Sequence, residues 1–240
     1  MQENRTVQPL MEELDPQVLR ANVESVLAAL EENRYQTQPP ARLIAVTKTV
    51  APGVINQLKE LGILDIGENR AQVALPKLPR IAPEFRLHWI GRLQTNKVKD
   101  IIDNVCMLHS LDRLELAREV DRRARQHGRI IPALVQVNVA GEEQKGGMPV
   151  QEVEGFLREM RHYPNIHVEG LMAIMPLGAS EEELDRLFGE MRSLFDAMRA
   201  LNIEGVEMRE LSMGMSNDFR IAARNGATMV RVGTALYRRD

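Results

Sequence analysis

The sequence has 240 residues, enough for one large α/β domain or two small ones. Hydrophobic residues make up 44% and charged residues 27%, a balance typical of a globular protein with a sizeable core. The net charge is −3 and no block of like charges occurs, which argues against a nucleic-acid partner or an anionic membrane surface.

The content of cysteine, histidine and apolar residues excludes several further classes. Cys106 is the single cysteine, so no internal disulfide forms, and this fits a reducing cytoplasm. The polar N-terminus lacks the apolar core of a signal peptide, and the longest apolar stretch, 130–140, is too short to span a bilayer. Five histidines show no metal-ligand spacing; we expect each to be structural or at the surface, and we expect no metal.

Eight strand-like apolar runs alternate with amphipathic helical patterns along the chain. A helical stripe over 18–30 precedes the first run, and two others cover 111–124, with Asp112 as the predicted N-cap, and 184–201. This alternation predicts a parallel sheet and, at this length, a (β/α)8 TIM barrel with an extra N-terminal helix. An open doubly wound sheet is the competing architecture. We predict one domain over 1–240, with 1–15 as a loose lead. The predicted strands are 43–47, 63–67, 87–91, 105–110, 133–139, 168–174, 210–214 and 229–233.

Lys48 is the candidate for covalent chemistry because it follows the first apolar run. A lysine beside a desolvated pocket has a lowered pKa, and its neutral amine attacks carbonyls to form a Schiff base. Pyridoxal phosphate is the commonest biological aldehyde held in this way. The alternative is a solvated loop lysine, which is the usual state of a lone lysine after a strand.

Two turns near the C-terminus are candidates for phosphate binding. The first contains Ser212, Gly214 and Ser216 and leads into a predicted helix over 217–225, whose N-terminus would attract an anion. Ser216 could equally be a simple helix cap. The second contains Gly233 and Thr234 after the eighth strand, and loops after strands seven and eight of such barrels frequently bind phosphate.

Arg231 lies two residues before Gly233, on the same side of the last strand. A guanidinium inside a barrel needs an acceptor because it cannot lose its proton. A pyridine nitrogen would serve, and an inward ion pair with a carboxylate is an equal alternative. Walker-type and dinucleotide glycine patterns are absent from the sequence, which argues against ATP or NAD as the ligand.

Several motifs together resemble the pyridoxal phosphate homeostasis proteins, single-domain relatives of the N-terminal barrel of alanine racemase (fold type III). The resemblance runs from about Val18 to Arg238. The motifs are Ala45-Val46-Thr47-Lys48-Thr49, Gly67-Glu68-Asn69-Arg70, His88-Trp89-Ile90-Gly91-Arg92-Leu93-Gln94-Thr95-Asn96-Lys97, Leu211-Ser212-Met213-Gly214-Met215-Ser216-Asn217-Asp218 and Arg231-Val232-Gly233-Thr234.

The resemblance implies pyridoxal 5'-phosphate as cofactor, held by Lys48 as an internal aldimine. It implies phosphate contacts from one group of residues, a pyridine-nitrogen contact from Arg231, and Asn69 near the oxygen side of the ring. The implied phosphate ligands are Ser212, Gly233 and Thr234, with backbone amides around Met213 and Ser216.

The function implied is the buffering or delivery of this cofactor in the cell, without robust catalysis. An amino-acid racemase is the alternative, but racemisation needs a second acid–base group, and we expect none of the tyrosines to supply it: Tyr35, Tyr163 and Tyr237, the last in a C-terminal tail. A barrel enzyme for another phosphorylated metabolite is a third reading.

Partners are predicted from the same reasoning. Apoenzymes that accept the cofactor, or amino acids, are the expected partners, and the protein is expected to be a monomer. Lys145, in the loop after the fifth strand, is either a transient second acceptor of the aldehyde or, more simply, a flexible surface lysine.

Overall fold

Eight parallel strands close into a barrel in the computed structural model, which describes residues 9–142 and 146–239. Each strand pairs with its neighbour in chain order, and β1 pairs with β8 from Arg42 opposite Met229 to Ala45 opposite Val232. The closure confirms the predicted TIM barrel and excludes the open sheet. The strands are β1 Arg42–Val46, β2 Asp65–Glu68, β3 Arg86–Trp89, β4 Val105–Leu111, β5 Ile131–Val137, β6 Ile166–Ala173, β7 Val206–Ser212 and β8 Met229–Val232.

Helices surround the barrel in the part of the chain that the structure describes. They are α1 Pro16–Glu32, α2 Pro52–Glu60, α3 Ala71–Ala74, α4 Val98–Ile101, α5 Leu114–Gln126, α6 Val153–Glu159, α7 Glu181–Ala200, α8 Phe219–Arg224 and α9 Thr234–Tyr237. The longest, α7, begins where the Ser180 hydroxyl accepts a hydrogen bond from the Glu183 amide. Its apolar stripe is buried against the strands, as the periodicity predicted.

All eight predicted strands occur, but their ends differ from the prediction by up to four residues. The seventh strand begins at Val206, four residues before the predicted start. Polar residues alternate with apolar ones in its first half, so this half does not form a continuous apolar run in the sequence. The predicted N-cap Asp112 is wrong: α5 begins at Leu114, and the Asp112 carboxylate pairs instead with the Arg113 guanidinium.

The barrel interior combines an apolar layer with polar side chains. Ile44, Met107, Leu134, Met172 and Met229 form the apolar cluster inside the barrel, separate from the larger core between strands and helices. The buried polar side chains of the strands include His88, His109, Gln136, Ser212 and Arg231. A buried polar group requires a hydrogen-bond partner, so these residues must be satisfied within the barrel.

The N-terminal segment packs against the strand ends that carry the predicted site. In α1, the Asn22 side-chain amide donates to the carbonyl oxygens of Leu236 (3.0 Å) and Arg238 (2.9 Å), which fixes the chain after β8. Met11 bridges Val50, so part of the predicted lead 1–15 is paired, while residues 1–8 lie outside the described residues.

No helix in the described ranges is long and apolar enough to cross a membrane. No group of three or more histidine, cysteine, aspartate or glutamate side chains in residues 9–142 and 146–239 is placed to hold a metal ion.

Candidate functional site

A cavity of about 870 Å3 opens at the carboxyl ends of the strands. Six of the eight predicted site residues line it: Lys48, Asn69, Ser216, Arg231, Gly233 and Thr234. Ser212 and Met213 are fully buried and do not line the cavity. In this fold the carboxyl ends of the strands carry the chemistry, so the location agrees with a ligand site.

Lys48 lies two residues beyond β1 and is exposed at the cavity. The residue before it, Thr47, is fully buried and held from two sides. Its carbonyl oxygen accepts a hydrogen bond from Lys77 Nζ (2.7 Å), and its hydroxyl donates to Glu68 Oε1 (2.8 Å). Because Lys77 also pairs with Glu68 at 2.8 Å in the interior, the backbone from which Lys48 projects is fixed.

Tyr237 corrects one sequence-based expectation. It does not lie in a loose tail: it ends α9, is buried, and lines the same cavity as Lys48. Burial raises the pKa of its hydroxyl, and the negative charge of Glu68 adds to the rise. Among the described residues, neither the Tyr237 hydroxyl nor Glu68 Oε2 has a hydrogen-bond partner.

The loops after β7 and β8 meet at Ser216. Its hydroxyl oxygen accepts hydrogen bonds from the amides of Gly233 (3.1 Å) and Ala235 (3.3 Å). The cap interpretation of Ser216 is therefore wrong, and α8 begins after Asp218 instead. Within the described ranges, the backbone amides of Ser216, Asn217 and Thr234 donate no hydrogen bond, which leaves three donors beside the cavity.

Gly214 allows the loop after β7 to pass close to α8 and to bond to β8. Its φ is +92°, and a Cβ at this position would lie 2.5 Å from the Ala222 Cβ. Its carbonyl oxygen accepts a hydrogen bond from the Arg231 amide at 2.9 Å. The Met213 amide donates to the Met229 carbonyl oxygen (3.1 Å), so it is already used within the barrel.

Arg231 points its guanidinium into the barrel, where it is almost completely buried. Nη1 donates to the Ser212 hydroxyl oxygen (2.6 Å) and Nη2 donates to the Ala173 carbonyl oxygen (2.8 Å). Burial lowers the pKa of Arg231 to about 10, although the negative charge of Asp218 opposes this. No ion pair of Arg231 occurs in the described part of the chain, so the neutral acceptors take the place of the alternative carboxylate partner.

A chain of hydrogen bonds runs from Arg231 through the barrel interior. Ser212 Oγ lies 3.0 Å from His109 Nδ1, His109 Nε2 lies 2.9 Å from His88 Nδ1, and His88 Nε2 lies 2.8 Å from Asp65 Oδ1. Because Arg231 can only donate and the carboxylate can only accept, each group donates to the next in the direction of Asp65. The two histidines are then neutral, with their tautomers fixed by the ends of the chain.

The electrostatics agree with this direction. Burial lowers the pKa of His109 well below its usual value, and the positive charge of Arg231 adds to the effect. Burial alone would raise the pKa of Asp65, but hydrogen bonds from His88 and Arg86 outweigh it and lower the pKa to about 2. The chain therefore connects a permanent cation at the cavity to a permanent anion near the amino ends of the strands.

Sequence reasoning treated the histidines individually and so did not find this chain. The available signal was that His88 and His109 each lie inside a predicted strand, where a polar side chain must find a partner. It also missed Met11, Asp218 and the loop 174–179, which line the cavity. Lys145, interpreted from the sequence as either a second acceptor or a surface lysine, lies outside the described residues.

Comparison with known proteins identifies the group to which this geometry belongs. Residues 14–239 match the family "Alanine racemase, N-terminal domain". The chain is 41% identical over 199 residues to a pyridoxal phosphate homeostasis protein of Aquifex aeolicus, covering 82% of this chain and 86% of that one. It is 38% identical over 204 residues to the same-named protein of Synechocystis, covering 84% and 93%.

Solved structures agree. PipY of Synechococcus elongatus with pyridoxal phosphate bound superposes with a TM-score of 0.81 at 30% identity, over 92% of this chain and 100% of that one. Alanine racemase of Clostridium difficile shares the fold, with a TM-score of 0.76 at 17% identity, over 98% of this chain and 59% of that one. The chain belongs to the pyridoxal phosphate homeostasis protein family, within the group that shares the alanine racemase N-terminal domain.

Proposed function

We propose that this protein binds pyridoxal 5'-phosphate at Lys48 and takes part in the homeostasis of that cofactor, by buffering or delivering it, without robust catalysis. The observation that carries the proposal is a cavity that is lined by an exposed lysine, a buried guanidinium and a pair of loops with unpaired amides. Family relatives carry the corresponding name, and one structural relative holds the cofactor.

The residues present fit such a group. The cavity has about 870 Å3, within the range of small-molecule sites, and its lining includes both a lysine amine and the loops that carry unpaired amides. The amides of Ser216, Asn217 and Thr234 suit a phosphate, since backbone N–H groups bind anions without a competing charge. When bound, the cofactor supplies an aldehyde carbon for an amine and a pyridine ring that accepts electrons.

Each side chain has a role that follows from its position. Lys48 supplies the amine, and the buried pair Lys77–Glu68 holds the strand end from which it projects. Arg231 would face the ring nitrogen and keep its own proton, so the ring would remain a weak electron sink. Asn69 lines the cavity wall and would lie on the oxygen side of the ring. These assignments favour holding the cofactor over reacting with it.

Ser212 takes a different role from the one that the family resemblance implied. Its hydroxyl is buried and engaged by both Arg231 and His109, and it does not line the cavity. We therefore assign it to positioning Arg231, and assign the phosphate to Ser216, Gly233 and Thr234 with the amides nearby.

The test is covalent attachment to Lys48. The purified protein, incubated with pyridoxal phosphate and reduced with borohydride, should gain the mass of one cofactor on the peptide that contains Lys48. Lys48→Ala should lose the visible absorption band and the label, and Lys99→Ala, at an exposed position on α4, should keep both. A protein that stays colourless would refute the proposal. The remaining hypothesis would then be a barrel enzyme that acts on another phosphorylated metabolite.

An amino-acid racemase is the second candidate, because Tyr237 lines the cavity and has a raised pKa. A tyrosine that keeps its proton can donate it to one face of a bound substrate. We expect no racemisation above the Lys48→Ala background. Activity that is lost in Tyr237→Phe would favour the enzyme instead.

Delivery requires an acceptor and a compartment. We propose that apoenzymes or free amino acids receive the cofactor and that this occurs in the cytoplasm, in line with the single, free Cys106. The protein is proposed to act as a monomer, which light scattering of the purified protein measures directly. Cofactor release to an apoenzyme, compared with release in buffer alone, tests whether delivery is direct.

A further inference from the structure

A second cavity, of about 700 Å3, lies beside the cofactor cavity and is lined largely by the loop that follows β3. We call it the side cavity. Asn69 and Arg92 line both cavities, so the two are neighbours. Gly91 contributes to the wall between them, since a Cβ there would lie 2.6 Å from the Asn69 Cβ. The loop carries the motif 88–97, of which the proposed function uses almost nothing.

The side cavity has a one-sided charge. Four cationic side chains line it, Arg70, Arg92, Lys97 and Arg113, and no carboxylate appears among its lining residues in the described part of the chain. Lys97 pairs with Asp100 at 3.4 Å, and Arg113 pairs with Asp112. Arg70 and Arg92 form no ion pair or side-chain hydrogen bond with any described residue.

Trp89 provides an independent sign that an acceptor belongs here. It lines the side cavity and is 2% exposed, and its indole Nε1 is buried without a hydrogen-bond partner among the described residues. A buried N–H without an acceptor is costly. Repulsion among several cations at one cavity adds to that cost. A bound anion would relieve the repulsion, and it would satisfy Nε1 after a small rotation of the indole, because this atom now has almost no exposed surface.

We propose that the side cavity is a second binding site, for the oxyanion group of a small molecule, held by Arg70 and Arg92 with Trp89 Nε1 as a neutral donor. Guanidinium forks match the planar oxygens of carboxylates and the oxygens of phosphates. The cavity has the size of a small-molecule site, and the chain as a whole is acidic, so a long polyanion is not the occupant. The oxyanion is therefore the phosphate of an ester or the carboxylate of an organic acid.

The site differs from the cofactor cradle. The cradle is formed by the loops after β7 and β8, whereas the side cavity is formed by the segments after β2 and β3 together with Arg113. A ligand there would lie next to the cofactor without competing for Lys48, which is not among its lining residues. The inference stands on its own geometry and does not depend on the proposed function.

The single tryptophan allows a direct test. In 15N-labelled protein carrying its cofactor, one indole N–H resonance belongs to Trp89. We would titrate inorganic phosphate and, separately, acetate at constant ionic strength, with chloride as the reference. Saturable movement of the resonance with phosphate alone assigns a phosphate ester, with acetate alone an organic acid, and with both a site open to either. Each of these outcomes supports the site.

Matched arginine variants complete the test. Arg70→Gln should raise the anion concentration at half-saturation about tenfold, as expected for the loss of one charge-assisted hydrogen bond. Arg80→Gln, at an exposed position outside the cavity, should leave it unchanged. The same titration of Lys48→Ala separates this site from the cofactor proposal. A resonance that moves no more with either anion than with chloride, or an Arg70→Gln variant that titrates like the parent protein, overturns the inference.

Discussion

Replacing Ser212 with alanine tests whether this hydroxyl positions Arg231 or contacts a bound phosphate. The Ser212 hydroxyl oxygen accepts from Arg231 Nη1 at 2.6 Å and lies 3.0 Å from His109 Nδ1, inside the barrel. Ser212→Ala removes both hydrogen bonds and leaves a buried cation and an imidazole nitrogen each short of one partner. If the hydroxyl is structural, the loss of stability occurs before any ligand binds.

The magnitude follows from the two bonds. A hydrogen bond to a charged group contributes about 1.5–3 kcal/mol, and an unsatisfied buried acceptor costs about 1–3 kcal/mol. We expect the free energy of unfolding of the ligand-free protein to fall by about 3 kcal/mol. For a chain of this length, that corresponds to a melting temperature lowered by about 6–12 °C.

The assay compares two serine variants without cofactor and then with it. Urea unfolding of the ligand-free protein, followed by Trp89 fluorescence, gives the stability change. Ser216→Ala is the matched control, because the Ser216 hydroxyl lies at the cavity and accepts only backbone amides. We expect Ser212→Ala to lose more stability and Ser216→Ala to lose more cofactor affinity. A Ser212→Ala protein as stable as the parent, with cofactor affinity reduced as much as in Ser216→Ala, would contradict the positioning role.

Three further predictions concern the network and the loops. His109 has a folded-state pKa below its unfolded value near 6.5, so the free energy of unfolding should fall as the pH drops below about 6.5, by up to ~1.4 kcal/mol per pH unit. In acid unfolding curves, His109→Gln should remove this dependence on pH. Lys77→Met leaves the buried Glu68 carboxylate unpaired and should cost about 3–5 kcal/mol in urea unfolding; a change below 1 kcal/mol would show that the pair is not buried in solution. In thermal melts, Gly214→Ala, at φ +92°, should destabilise the protein by about 2 kcal/mol or more. Gly53→Ala in α2, with open space around it, should be neutral or slightly stabilising in the same experiment.

The predictions from sequence were most successful where one physical signal controls the outcome. Eight apolar runs separated by helical stripes specified the barrel, because parallel strands buried on both faces need continuous apolar segments. Strand ends were predicted less accurately. The start of β7 was placed four residues too late, because polar residues that alternate with apolar ones interrupt the apolar run. Tyr237 was misplaced because a helix as short as α9 leaves no periodicity to detect.

The sequence by itself determined the type of fold and six of the residues that line the cavity, among them Lys48, Asn69, Ser216 and Gly233. Their positions follow from strand order, because the carboxyl ends of parallel strands meet at one end of a barrel.

Only the tertiary structure decided which partners the buried polar groups take. Ser212, His109, His88 and Asp65 lie on four different strands, and their hydrogen bonds to one another arise from barrel closure. A hydrogen bond needs atoms within about 3 Å of each other. Residues more than a hundred positions apart in the chain, such as His109 and Ser212, reach that distance only after the barrel has closed.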